Sequence, residues 1–380
     1  MNHHIQERID LWKRLSDQNL TEGELSELPN QISPWYVKTL MAFSGWLAAL
    51  FLLGFIGVGF EFIIENSMIS FFVGSGMIAL AMVMLAHIEI ERRTHRVSKH
   101  EFQEHLALAI SLAGQCLVAF AIFDLFDNQF GWKMFAWIAF GGVQAFLAVI
   151  MPNYLHRLLS ALAAVILWYL ACVLRGAEVR GFEYLLVPAF LFIVCWLWMN
   201  EFKFTQHIRK VEPIAYGITL ALVYIKGMLM FSQHRVVWYS RSSDVESIAS
   251  LWAGELLTSF VLLYVVFKLV KSAGFDETSR QMIAAIVGCV LVAVVSLESY
   301  GFSLGVLILL VGFYCGNRLL MALGIVSLLF YISSYYYFLE VSLLYKSLSL
   351  FLIGCVLLAG RWFMHRAFSD IEPVQSGEGK

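Results

Sequence analysis

Lys226 is the residue of this chain whose type and setting most invite chemistry. It lies in the apolar run 213–231, and no other Lys or Arg falls so far inside such a run. An ammonium group in hydrocarbon costs about 2.5–3.5 kcal/mol on insertion scales, so it is normally paired or put to use. Glu255 lies in the next apolar run, 250–270. Lys226 stands five residues before the end of its run, and Glu255 five residues after the start of its own. Consecutive antiparallel helices would bring the two to one depth. The spacing predicts an ion pair; the alternative is that Lys226 extends its stem to the headgroups.

Gln115 and Gln144 form a second match. They are equidistant from the turn joining two apolar runs, and both fall near mid-run. Amide hydrogen bonds between membrane helices contribute about 0.6 kcal/mol on average. The pair reads either as structural glue or as the lining of a polar path. A third group lies near the carboxy-terminal end: Tyr331, Ser333, Ser334, Tyr335, Tyr336, Tyr337 and Glu340, then Tyr345, Lys346 and Ser347. This is an interfacial tyrosine belt or a binding surface on the outer face, with Tyr335, Tyr336, Tyr337, Glu340 and Lys346 as its candidate contacts.

His100, Glu101, Glu104 and His105 do not make a zinc helix. The two histidines are five residues apart and do not share the helical face that a HExxH metal site requires. Six cysteines lie in or at the ends of apolar runs without CxxC spacing, which suits helix packing better than disulfides or metal. No Ser-His-Asp order, phosphate loop or paired intramembrane carboxylates is visible. Gly54, Gly57 and Gly59 fit close helix approach. The expectation is a non-enzymatic protein without cofactor, metal or nucleic-acid partner.

The elements that must position these residues are long and apolar. The chain is 60% hydrophobic and 14% charged, with mean hydropathy +0.74. A bilayer is spanned by about twenty apolar residues, and the continuous runs suit helices rather than a barrel. This predicts an all-α polytopic transmembrane bundle of twelve spans. They fall at 37–60, 67–86, 105–126, 133–151, 155–174, 183–200, 213–231, 250–270, 281–299, 301–316, 318–338 and 344–364. The very short loops around 300 and 317 leave eleven or ten as alternatives.

Charge tests the count. With the amino terminus in the cytoplasm, nineteen Lys and Arg fall on that side and six on the other, as the positive-inside rule requires. Trp35 and Trp362 then mark inner ends; Trp132, Trp238 and Trp252 mark outer ends. Residues 1–35 read as a cytoplasmic helix pair. Ile5, Ile9, Trp12 and Leu15 form one apolar stripe, and Thr21 with Glu24 makes a capping box. This preface is not a cleavable signal. Residues 365–380 read as a disordered cytoplasmic tail.

Two stretches read alike: His156-Arg157-Leu158-Leu159-Ser160-Ala161-Leu162 and Asn317-Arg318-Leu319-Leu320-Met321-Ala322-Leu323, 161 residues later. Gly-Val steps precede each, at Gly142-Val143 and Gly305-Val306. Leu344–Arg361 likewise lies 161 residues after the apolar segment opening at Glu183. The repeat suggests two six-helix halves, 36–200 and 213–364, related as parallel repeats. Arg157 and Arg318 would then be equivalent.

Pro34-Trp35-Tyr36-Val37, followed by Ser44-Gly45-Trp46-Leu47-Ala48-Ala49-Leu50-Phe51-Leu52-Leu53-Gly54, resembles the first span of a bacterial multi-pass inner-membrane family known only as a domain of unknown function. Ser333-Ser334-Tyr335-Tyr336-Tyr337, followed by Leu343-Leu344 and Lys346-Ser347, is similar to that family's carboxy-terminal signature. The resemblance implies a bacterial inner membrane. It also implies a smaller membrane-anchored companion bearing a Gly-Asp-Tyr-x-x-Leu-x-Tyr (GDYXXLXY) motif. It supplies no catalytic residue and no substrate. The sequence leaves two main functions, a transporter-like protein for a small or lipid-like solute or a membrane subunit binding a partner at its outer face, with an intramembrane enzyme as a third. A reporter fused after Lys380 should read as cytoplasmic; an extracytoplasmic readout would overturn the twelve-span count.

Overall fold

The computed structural model describes residues 2–18, 35–59, 66–95, 101–127, 133–174, 182–201, 203, 208–239, 245–272, 274 and 280–338, with scattered positions from 342 to 358. Among them every regular element is an α-helix. These are α1 (Asn2–Asp17), α2 (Trp35–Gly59), α3 (Ser67–His95), α4 (Glu101–Asp127), α5 (Lys133–Ile150) and α6 (Tyr154–Leu174). Then come α7 (Phe182–Met199), α8 (Ile208–Tyr239), α9 (Val245–Ser272), α10 (Arg280–Glu298), α11 (Phe302–Tyr314) and α12 (Arg318–Phe338). Six of them, α3, α4, α6, α8, α9 and α12, are long and apolar enough to cross a membrane. The capping box at Thr21 and Glu24, Trp132, Trp362, and most of the expected span 344–364 lie outside the described residues.

The chain divides into two compact units, Met1–Leu174 and Arg175–Lys380. The division falls before α7. That helix, read from the sequence as closing the first half, packs instead within the second unit on α8 and α9. The first unit is organised on α4, which packs against α2, α3 and α5, while α5 and α6 form a hairpin. Its small residues explain the close approach. Gly74 of α3 and Gly114 of α4 face each other; a Cβ on either would come within 2.6 Å of the other's carbonyl oxygen. Leu85, Ala107, Leu147 and Met151 fill the core beside them.

The second unit is organised on α11, which touches α7, α8, α9, α10 and α12. At 13 residues it is about 20 Å long, shorter than the ~30 Å hydrocarbon thickness. The turn that opens it requires glycine. Gly301 has φ +89°, and a Cβ there would lie 2.8 Å from the Tyr331 ring. Large apolar side chains turn outward, among them Phe72 in the first unit and Phe313 in the second, at 70% and 77% exposure. Lipid is the solvent such faces fit.

The two hairpins that carry the similar stretches are alike in structure, but in another register. Asn153 Oδ1 accepts the His156 amide at 2.9 Å and so caps α6. Asn317 Oδ1 accepts the Leu320 amide at 3.1 Å and caps α12 in the same way. The matched caps are 164 residues apart, not 161, and α6 and α12 each run 21 residues. The preceding helices also end 164 apart, at Ile150 and Tyr314. Arg157 and Arg318 are therefore not equivalent. Arg157 lies three residues into its helix, buried, with Nε donating to the Met151 carbonyl; Arg318 is the exposed first residue of α12. Three residues are about 4.5 Å of rise. The glycine match shifts too: Gly141, not Gly142, meets the next helix, at Trp168, as Gly305 meets Leu328.

Gly74→Ala and Gly114→Ala should each cost about 1–3 kcal/mol by overpacking. Gly142→Ala, with open space around it, should be neutral or stabilising by up to about 1 kcal/mol. Melting in detergent distinguishes them.

Candidate functional site

The densest buried polar cluster of the second unit surrounds Glu255 of α9. Lys226 of α8 donates its ammonium to Oε1. Ser296, in the last turn of α10, donates to Oε2 at 2.6 Å. Ser303, the second residue of α11, donates to the same oxygen at 3.2 Å and lies 3.0 Å from the Ser296 hydroxyl. Tyr331 of α12 closes the cluster, its hydroxyl donating to the Val223 carbonyl at 2.9 Å. Lys226 and Glu255 are 4% and 2% exposed, and Ser296, Ser303 and Tyr331 are fully buried. Five helices thus contribute one side chain each. Snorkelling of Lys226 does not occur, because its charge is met inside. Both carboxylate oxygens are satisfied, which is what a buried charge requires.

Serines 296 and 303 were not singled out from the sequence. Their signal was local: two hydroxyls flanking one tight turn, at the depth of Glu255. Tyr331 was placed in an interfacial tyrosine belt, and the structure corrects this. It lies seven residues, about two turns, before the end of α12, on the face that turns inward.

The first unit holds a neutral network. Gln144 of α5 donates from Nε2 to Gln115 Oε1 of α4 at 2.8 Å, so the two glutamines do meet. Gln115 Nε2 in turn approaches His156 Nε2 of α6 at 3.0 Å. Ser111 Oγ lies 2.7 Å from that same ring nitrogen, and Ser160 Oγ 3.1 Å from Nδ1. An amide N–H can only donate, so Nε2 accepts and the ring proton belongs on Nδ1, facing Ser160. Gln144 Oε1 remains buried without a partner. His156, Ser111 and Ser160 escaped sequence reasoning, although Ser111 and Gln115 share a face at i,i+4.

The other candidates scatter. Glu104 Oε1 accepts from Asn153 Nδ2 at 2.6 Å and thereby supports the cap of α6. His105 packs against Gly45. His100 and the side chain of Glu101 lie outside the described residues, as do Glu340 and Lys346. Tyr335, Tyr336 and Tyr337 occupy the carboxy-terminal end of α12. Tyr337 is 78% exposed, its ring 5.4 Å from Phe338, which stacks edge-on against Phe231 of α8.

Long apolar helices closed over buried polar clusters define a membrane-embedded, all-α protein. The chain belongs to the family described as Domain of unknown function (DUF4401), whose pattern matches residues 34–367. No curated protein and no solved structure matches it.

Removing one member of a buried ion pair strands a charge, at a cost of about 3–5 kcal/mol. Lys226→Met and Glu255→Gln should therefore each lower the detergent melting temperature more than the double variant does. Additive losses would show that the pair is not coupled.

Proposed function

We propose that this protein is transporter-like, moving a small or lipid-like solute, with the Lys226–Glu255 cluster as its working centre. The observation that supports this is a fixed pair of opposite charges held where five helices meet. Ionisable groups buried in apolar helices are expensive, and they mark solute and ion pathways by default. A short helix that opens on a buried turn, as α11 does, is akin to the device by which broken membrane helices present backbone and hydroxyl groups to solutes. The setting we infer is a bacterial inner membrane, with both termini cytoplasmic. The test is reconstitution into vesicles with osmotic light scattering against small polyols, amino acids and monocarboxylates. At least one class should equilibrate ten-fold faster than in empty vesicles, and the folded Lys226→Met, Glu255→Gln double variant should lose that gain. No flux above empty vesicles would overturn the transport reading.

The exposed end of α12 supports a second reading. Tyr337 projects from an aromatic row that continues through Phe338 to Phe231, a surface suited to a partner protein. The partner implied by the family resemblance is a membrane-anchored companion with a Gly-Asp-Tyr-x-x-Leu-x-Tyr motif. Co-purification of such a tagged companion should be lost in Tyr337→Ser and kept in Tyr264→Ser.

A further inference from the structure

Three donors converge on the Glu255 carboxylate: the Lys226 ammonium and the hydroxyls of Ser296 and Ser303, the last in the first turn of α11. That turn has no side-chain cap, since Gly301 stands at the N-cap. A helix N-terminus carries about half a positive charge and favours an anion. Ser299, in the same turn, has a buried hydroxyl without a partner, on a residue 5% exposed. The donors sit on α8, α10 and α11, whereas the carboxylate comes from α9 on a flexible two-carbon stem. None of the three donors of this cradle belongs to the helix that carries the carboxylate.

We propose that this cradle is a carboxylate-binding site, that Glu255 is its internal occupant, and that a small free carboxylate takes the same donors when Glu255 is protonated and turns aside. Charge sets the stoichiometry. Lys226 and ionised Glu255 sum to zero. A second anion would leave one uncompensated negative charge away from water, at a cost of several kcal/mol. A proton taken from bulk water onto Glu255 restores the zero sum: the ammonium then pairs with the incoming carboxylate, and Glu255 becomes a neutral acid. Each bound anion therefore brings one proton. The described titratable groups facing Glu255 are Lys226 of α8 and Tyr331 of α12, with Ser296 and Ser303 from α10 and α11. The α7 helix, which also packs on α9, carries its buried titratable group, Cys195, beside Cys315 instead.

The proposal rests on the reading above that this cluster is the working centre, but its test needs no transport. The full chain in detergent is titrated with sodium formate, against sodium chloride at equal ionic strength, and stabilisation is read as a melting shift. In the wild type the apparent formate affinity should rise about ten-fold for each unit that pH falls from 7.5 to 5.5, as one linked proton requires. Glu255→Gln should bind formate more tightly at pH 7.5 and lose that slope. Glu255→Ala should be restored by formate and not by chloride, and Lys226→Met, Glu255→Ala should respond to neither. Equal effects of formate and chloride, or no pH slope in the wild type, would overturn the site. If Glu255→Ala does not fold, the slope comparison between wild type and Glu255→Gln decides alone. Flux without formate binding removes the cradle and leaves transport; binding without flux removes transport and leaves the cradle.

Discussion

Lys226 and Glu255 hold each other in an interior that would tolerate neither alone, and the second unit is arranged around that constraint. A buried carboxylate needs acceptor capacity filled on both oxygens. Lys226 fills one side; Ser296 and Ser303 fill the other. For the two serines to reach one oxygen, α10 and α11 must turn sharply between them. That turn passes through Gly301 in a left-handed conformation, and the Tyr331 ring closes over it. The hydrogen bond from Tyr331 back to Val223 then ties α12 to α8, one turn from Lys226 itself. Ion pair, turn and aromatic lid are consequences of one another.

The polar network of the first unit is held together without an ion pair. The network across α4, α5 and α6 is built of amides, hydroxyls and one imidazole, and the buried Arg157 beside it donates to the Met151 carbonyl instead. Neutral groups carry a smaller desolvation cost than ions, so this network tolerates the one loose end at Gln144 Oε1. The packing around it relies on close approach of backbones at Gly74 and Gly114. Apolar attraction between helices is weak where lipid is equally apolar, so contact distance and hydrogen bonds decide association.

The two helix hairpins that each begin their second helix on a capping asparagine show how a likeness between segments can be read in the wrong register. Leucine and alanine recur so often in apolar helices that a seven-residue likeness fixes position only to within a turn. The cap fixes it to one residue, because Asn153 and Asn317 must each present an oxygen to the third amide of the following helix.

The sequence by itself determined the class of object: continuous apolar runs admit only helices in a bilayer, and the two ends of the chain carried the family likeness. It also determined that Lys226 needed an anion and that Glu255 stood at the matching depth, since depth follows from counting along antiparallel helices. Gln115 and Gln144 met for the same reason. The tertiary structure alone decided which further side chains joined them. Ser296, Ser303 and His156 are ordinary residues in sequence, and Tyr331 looked interfacial beside its neighbours. Rotation of each helix about its axis sets which residues face inward. In helices apolar all round, no polar face records that rotation, so only packing against neighbours fixes it.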